Sequence, residues 1–387
     1  MRVAIVVPRY GVDVLGGAES QARGFAEVAL KRGWEVEVWT TCARSHYTWE
    51  NVYPEGATKV NGVTVRRFPV MWSDRNKWAE LEVKLVQQGF LSPTETYTWL
   101  DSAPHSPSLY VHIARHRTNF DVIVALPYVM PLIHYAVWSA PHNVVLWPCL
   151  HDEPYAYLEA TRLLLESVWG VMFNSPEEAE FALRRLKIHP HSWAVLGEGV
   201  SISPDPTPVS HSGLSGNFVL YVGRLEEGKN LQLLYEFMQR YGERRGGIRL
   251  VVVGGGPVKP PSNQFFLYLG FVSEEQKAYL YSNALVLCQP SLRESFSLTI
   301  MESWMAGRPV LVHEDCPVTR EHVRRSKGGL WFRTYEEFAE ALDWFRENPD
   351  LAARMGENGR RYVLANYTWE AVLDRFERLI GQWRGKQ

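Results

Sequence analysis

Four charged side chains in this 387-residue chain have spacings that could do chemistry: Arg224 and Lys229, five positions apart, and Glu294 and Glu302, eight apart. A diphosphate needs cations of this kind, because Arg forks onto two oxygens while Lys acts as a point charge. Two basic residues in a charged loop are ordinarily just solvated. These two, however, directly follow Phe218–Gly223 (FVLYVG), a short apolar run that reads as a buried strand, so they project from a strand's carboxyl end. The two Glu residues lie in Pro290–Val312 (PSLRESFSLTIMESWMAGRPVLV). Glu294 ends a turn, and Ser295, Phe296 and Ser297 lead to a helix starting near Leu298, with Glu302 about one turn inside it. The amides at that helix start suit an anion. On a solvated face such a pair means nothing, but here the neighbours are small or apolar.

Gly16-Gly17-Ala18-Glu19 opens a helix straight after the first apolar run, Arg2–Pro8. Free N–H groups and the helix dipole favour an anion there, and glycine lets a ligand approach the backbone; a tight turn without a ligand is the plainer alternative. The turn is not G-x-G-x-x-G, and Val38-Trp39-Thr40-Thr41 supplies no acidic ribose ligand, which weakens a dehydrogenase reading. His151 follows a strand over Val144–Leu150. A lone His there is more often a structural cap.

The elements that must position these residues alternate. A strand at Arg2–Pro8, a helix from Ala18 stopped by Gly33 and a strand at Val36–Thr41 start one sheet. The order recurs with a strand at Phe218–Gly223, a helix face of Leu234, Phe237, Met238 and Tyr241, and a strand at Ile248–Gly254. A capping box, Ser273 with Gln276, then starts another helix, followed by a strand at Ala284–Gln289, a helix at Leu298–Met305 and a strand at Pro309–His313. Strands alternating with helices predict an α/β class with two doubly wound sheets in tandem. Ser201–Gly216, rich in Pro, Ser and Gly, is the natural linker. Residues 71–116 are polar and aromatic without a clean strand pattern and read as decoration of the first sheet that sets partner choice. Their Trp72, Trp78 and Trp99 are a hint of a carbohydrate acceptor. Thr368–Trp383 is a closing amphipathic helix.

Composition bounds the function classes. The chain is 46% hydrophobic and 22% charged, which excludes disordered and collagen-like classes. Its 41 basic residues against 43 acidic ones give no overall reason to bind nucleic acid or an anionic membrane. Cys42, Cys149, Cys288 and Cys316 lack C-x-x-C spacing, which argues against a zinc site or a disulfide framework and for an intracellular protein. The N-terminus reads as a strand rather than a signal peptide, and no window approaches the ~18 apolar residues of a spanning helix.

The stretch E-x-F-x-L-x-x-x-E followed by M-A-G-x-P-V resembles the signature of glycosyltransferase family 4, the glycosyl transferases group 1. The resemblance extends in order through Gly16-Gly17-Ala18-Glu19, Gly223-Arg224 to Lys229-Asn230, Val253-Gly254-Gly255-Gly256-Pro257, Gly270-Phe271-Val272-Ser273 and Tyr367-Thr368-Trp369-Glu370, nearly the whole chain. It implies a GT-B fold, two Rossmann-like doubly wound domains facing across a cleft. The first domain would be an acceptor-side unit over 1–200 joined by the closing helix 366–387, and the second a donor-binding unit over 201–365. It implies a retaining transferase that moves a sugar from a nucleotide-diphosphate sugar of UDP, GDP or ADP type to a hydroxyl of a carbohydrate or lipid-linked acceptor. No cofactor, metal or nucleic acid is implied. The location would be cytoplasmic, with at most peripheral contact with the inner membrane face; the oligomeric state is left open.

Carried over by residue, the resemblance places Arg224 and Lys229 on the donor diphosphate, Glu294 on the sugar hydroxyls and Glu302 on the ribose. The amides of Ser295, Phe296, Ser297 and Leu298 would hold the distal phosphate, Gly16 and Gly17 would line the site, and His151 would lie against the sugar ring. The chain departs from the pattern where Ser295 and Ser297 replace the usual glycines, which crowds the phosphate loop, and it is short between Pro257 and Phe266, where a nucleobase would be read. No D-x-D pair is present, so the diphosphate would rest on cations and helix N-termini rather than on a metal. Three alternatives share these residues: a nucleotide-sugar epimerase, a non-catalytic sugar-nucleotide binding protein, and a glycoside hydrolase with Glu294 and Glu302 about 5–9.5 Å apart around one bond.

Overall fold

The computed structural model describes residues 1–14, 16–201, 209, 214 and 217–385. The expected linker over 201–216 lies outside the described residues except at 201, 209 and 214. The chain divides into two compact units, Met1–Gly199 together with the closing helix Trp369–Arg384, and Val200–Thr368.

Among the described residues the first unit holds an eight-stranded sheet. Its strands are β1 (Arg2–Val6), β2 (Glu35–Thr41), β3 (Gly56–Val60), β4 (Val63–Phe68), β7 (Val122–Ala125), β8 (Val144–Leu146), β9 (Gly170–Phe173) and β10 (Trp193–Val195); β5 (Met71–Trp72) and β6 (Pro104–His105) form a separate antiparallel pair. The order is β10-β9-β8-β7-β1-β2-β4-β3, parallel except where β3 runs against β4. In β1, Ala4 and Val6 enter one core and Val3 and Ile5 another. Alternate side chains of one strand thus fill both faces, which is why β1 reads as a continuous apolar run rather than an alternating one.

The second unit repeats the plan with six parallel strands, β11 (Phe218–Val222), β12 (Arg249–Val253), β13 (Phe266–Gly270), β14 (Val286–Gln289), β15 (Val310–His313) and β16 (Gly329–Phe332), in the order β13-β12-β11-β14-β15-β16. Here Val219 and Tyr221 point into one core and Phe218 and Leu220 into the other. Strand order reverses between β11 and β14, and in the first unit between β1 and β7. In open parallel sheets, ligands bind beyond the carboxyl ends of the strands at such points.

The closing helix belongs to the first unit because Val372, Leu373, Phe376 and Ile380 are buried in the core that holds Val3 and Ile5. Each such side chain contributes about 1.5–3 kcal/mol on burial. Two tryptophans key it in place. A Cβ on Gly24 would stand 2.3 Å from the Trp369 ring, and one on Gly170 2.3 Å from the Trp383 ring.

Residues 71–116 are mainly helical, with helices Arg75–Gln88, Pro93–Ser102 and Pro107–His116. Asp74 caps the first, Ser92 and Glu95 form a capping box on the second, and proline opens the second and third. Trp99 is 2% exposed and its indole N–H donates to Glu82, so its ring packs the core of this layer and is closed to a sugar. No helix among the described residues is long and apolar enough to cross a membrane.

Candidate active site

The second unit gathers its charged residues at its switch point. After β11 the chain passes Gly223 and Arg224 and makes a short 3-10 turn, Glu227–Lys229, ended by Asn230 in the left-handed conformation (φ 55). Asn230 Nδ2 donates to the carbonyl of Pro290 at 3.1 Å, tying this loop to the one after β14. Lys229 Nζ then stands 2.7 Å from Glu294 Oε1, with side-chain exposures of 20% and 9%. Arg224 is more open and pairs with Glu226 at 3.1 Å.

Glycines let two loops of this end press together. A Cβ on Gly254 (φ 129) would fall 1.9 Å from the carbonyl oxygen of Gly223. Leu225 N donates to Gly255 O at 2.9 Å and Val258 N to Leu225 O at 2.8 Å, so backbone bonds extend beyond the sheet and stiffen the segment carrying Arg224. The exposed ring of Phe271 lies against Gly255, where a Cβ would stand 2.6 Å from it.

The helix Leu298–Met305 starts where expected. Its N-cap, Ser297, is left-handed (φ 77, ψ 79), a conformation that costs a non-glycine residue about 1–2 kcal/mol. A glycine would adopt this conformation without that cost. The hydroxyl of Ser297 accepts from Gln289 Nε2 at 3.4 Å. Ser295 and Ser297 are buried, and the Phe296 ring is 1% exposed, edge-on to Tyr367 at 4.9 Å and His322 at 5.2 Å. Phe296 therefore contributes packing and a backbone amide rather than a ring to any ligand. The N–H groups of Leu298 and Thr299 at the helix start have no intrahelical acceptor, whereas that of Ile300 donates to Ser297 O at 3.3 Å. Trp304, fully buried, anchors the helix by donating from its indole N–H to Gly328 O at 2.8 Å.

Glu302, a turn further on, is held separately from Glu294. Lys277 Nζ stands 3.2 Å from its Oε1, and the Tyr281 hydroxyl donates to its Oε2 at 2.7 Å.

In the first unit, Gly16 (φ 155) caps the helix Gly17–Lys31, and a Cβ there would fall 2.0 Å from Glu19 Oε2. Glu19 pairs with Arg9, both nearly buried. β8 stops at Leu146, short of the expected strand over Val144–Leu150, because Pro148 has no N–H for the ladder. His151 thus stands on an irregular segment, after Cys149 in the left-handed conformation (φ 56). That segment is pinned from behind by Glu178, whose oxygens accept from the amides of Leu150 and Asn174. Burial outweighs those donors and pushes the Glu178 carboxyl up to about 8. Asn174 Oδ1 accepts from Gln21 at 3.1 Å and from the Trp147 indole at 2.5 Å, joining the glycine-turn helix to the same segment. His151 Nδ1 lies 3.7 Å from Glu153 Oε1, which also accepts from Tyr128 OH at 2.7 Å. Among the described residues no group of three or more His, Cys, Asp or Glu side chains is placed to hold a metal ion.

Residues 209–362, which contain Arg224, Lys229, Glu294 and Glu302, match the family model of glycosyl transferases group 1. The chain has the GT-B fold. Along its length it is similar to an uncharacterized glycosyltransferase of Methanocaldococcus jannaschii, 23% identical with 96% of each chain covered. Among solved structures it is similar in fold to sucrose-phosphate synthase from Thermosynechococcus elongatus, with a TM-score of 0.73, 18% identity and 100% of both chains covered. It is also similar in fold to the Anabaena protein HepE solved with UDP and glucose, with a TM-score of 0.68, 14% identity and 98% and 99% of the two chains covered.

Three partners of the site's charged groups escaped sequence reasoning: Glu226, Lys277 and Tyr281. Lys277 and Tyr281 had a faint signal, since they lie four apart on the helix that the Ser273 capping box announces.

Proposed function

We propose that the enzyme is a retaining, metal-independent transferase of family 4 that uses a nucleotide-diphosphate sugar and an acceptor hydroxyl. The observation that carries this is the meeting of Lys229 and Glu294 at 2.7 Å beside the switch point of β11 and β14. One cation for a phosphate and one carboxylate for sugar hydroxyls stand in contact, ahead of a helix N-terminus suited to a second phosphate.

In this reading the bond between the anomeric carbon and the diphosphate oxygen breaks, and the bond to the acceptor oxygen forms on the same face. The acceptor proton passes to an oxygen of the leaving diphosphate. The transition state is oxocarbenium-like, with negative charge growing on the diphosphate. Arg224, Lys229 and the amides from Ser295 to Leu298 stabilise that charge more than they stabilise the bound donor, which is what lowers the barrier. Glu294 orients the sugar and Glu302 holds the ribose. Gly16, Gly17 and His151, all on the first unit, are assigned to the sugar and acceptor side. Support comes from the family match over the donor residues and from a solved protein of similar fold that holds UDP and glucose.

A thermal-shift screen against UDP, GDP and ADP tests the donor reading. A ligand at 100 times its dissociation constant stabilises by about 2.7 kcal/mol. A shift with one of the three, lost in Lys229→Ala, is expected; no shift with any would contradict the assignment.

A further inference from the structure

Glu302 is a quarter exposed, and each of its oxygens already carries a protein donor: Lys277 Nζ at 3.2 Å from Oε1 and the Tyr281 hydroxyl at 2.7 Å from Oε2. The two donors lie four residues apart on the helix Glu274–Asn283, so they rise side by side from one face of it. Both ends of that helix are fixed. The Ser273–Gln276 capping box starts it, and Arg308 Nε, just beyond the Glu302 helix, donates to Ser282 O at 2.8 Å near its end. Tyr281 is 1% exposed and shares a core with Ile300 and Met301, on either side of which the two helices pack.

The protonation states suit a fixed clamp. Burial and the neighbouring Glu302 carboxylate push the Tyr281 phenol far above its ordinary range, so it remains a donor. Burial opposes the Lys277 charge, but Glu302 and Glu274 outweigh it and hold the ammonium above its usual range. A carboxylate has about four acceptor positions. Two donors leave about two, enough for two adjacent hydroxyls. A ligand lacking one of those hydroxyls leaves a charged acceptor unpaired, which costs more than a lost neutral hydrogen bond.

Given the assignment of Glu302 to the donor's ribose, we propose that Lys277 and Tyr281 are positioning residues. They hold the Glu302 carboxylate in an orientation that accepts a ribose 2′,3′-diol, and so make the site select ribonucleoside over 2′-deoxyribonucleoside diphosphates.

Isothermal titration of the full chain with UDP and 2′-deoxy-UDP, and with the guanine and adenine pairs, tests this for the base that binds. The wild type should bind the ribo member about tenfold more tightly or better. Tyr281→Phe and Lys277→Met should each shrink that ratio to about threefold or less while affinity for the deoxy member stays near wild type, which also reports an intact fold. Lys277→Arg should restore most of the ratio. Glu302→Ala should abolish it. If Glu302→Ala abolishes the ratio but both Tyr281→Phe and Lys277→Met keep it, the clamp is a structural ion pair and the proposal is overturned alone. A ratio that survives Glu302→Ala overturns the ribose assignment, and no binding by any nucleotide overturns the donor reading; the clamp falls with either.

Discussion

The ammonium of Lys229 stands 2.7 Å from a carboxylate oxygen of Glu294, a residue 65 positions further along the chain. The contact unites the loops after β11 and β14, the adjacent strands at which the order of the second sheet reverses. Arg224, by contrast, is half-exposed and pairs with its sequence neighbour Glu226. The two cations should therefore differ in what their removal does to the fold.

Lys229→Ala and Arg224→Ala should each lower turnover by about 100-fold, as expected when charge stabilisation at a leaving group is lost. Lys229→Ala should also lower unfolding free energy by about 1–3 kcal/mol, because it removes the ammonium that faces the nearly buried Glu294. Arg224→Ala should change stability by less than about 0.5 kcal/mol. Denaturant unfolding measured beside turnover separates the two. Equal stability losses would mean that the Lys229 pair is not a fixed feature of the folded protein.

The two carboxylates should divide their work. Glu302→Ala should weaken binding of the free nucleoside diphosphate, whereas Glu294→Gln should leave that binding nearly intact and remove mainly sugar transfer. Titration calorimetry with the nucleotide alone decides. A common loss of affinity in both variants would contradict separate ribose and sugar roles.

Much of this division is legible in the chain's letters. FVLYVG reads as a strand because side chains that fill both faces must all be apolar, and PSLRESFSLTIMES reads as turn then helix because small polar residues precede an apolar repeat. What is not legible is pairing across sequence. Lys277 and Tyr281 reach Glu302 across 25 and 21 positions, and no periodicity marks that. The helices within 71–116 are missed for another reason. Arg75–Gln88 buries little more than Leu81 and Leu85, too narrow an apolar face to stand out, although the cap residues Asp74, Ser92 and Glu95 and the prolines at 93 and 107 mark the starts. Pro148 likewise marks the early end of the strand before His151.

The packing beneath Phe296 should show in the pH dependence of stability. His322 is fully buried against Phe296, Tyr362 and Tyr367, and burial lowers its pKa to about 3, with Arg325 adding to the effect. Unfolded, it titrates at about 6.5. Below that pH the unfolded chain takes up a proton that the folded chain refuses, so stability present above about 6.5 is lost as pH falls toward 3, by up to about 1.4 kcal/mol per pH unit. Unfolding free energy measured from pH 7 to 4 should fall more steeply in the wild type than in His322→Gln. Parallel slopes would contradict a neutral buried imidazole under the loop.

Gly254→Ala should disturb the donor side specifically. Its methyl group would meet the Gly223 carbonyl at 1.9 Å, forcing apart the turn and the segment that carries Arg224. A drop in nucleotide affinity of tenfold or more is expected, together with about 1–3 kcal/mol of lost stability. Wild-type affinity in this variant would show that the packed turn does not shape the donor site.

Sugar transfer from a nucleotide donor, as proposed, depends on the Lys229 and Glu294 pair. Its most direct measurement is nucleoside diphosphate release from UDP-glucose, GDP-glucose and ADP-glucose, with a polysaccharide and lipid extract as acceptor source, compared between wild type, Lys229→Ala and Glu294→Gln. The wild type should release the nucleoside diphosphate from one donor, and both variants should do so at a rate lower by about 100-fold. Release from none of the three donors, or an equal rate in wild type and both variants, would contradict it.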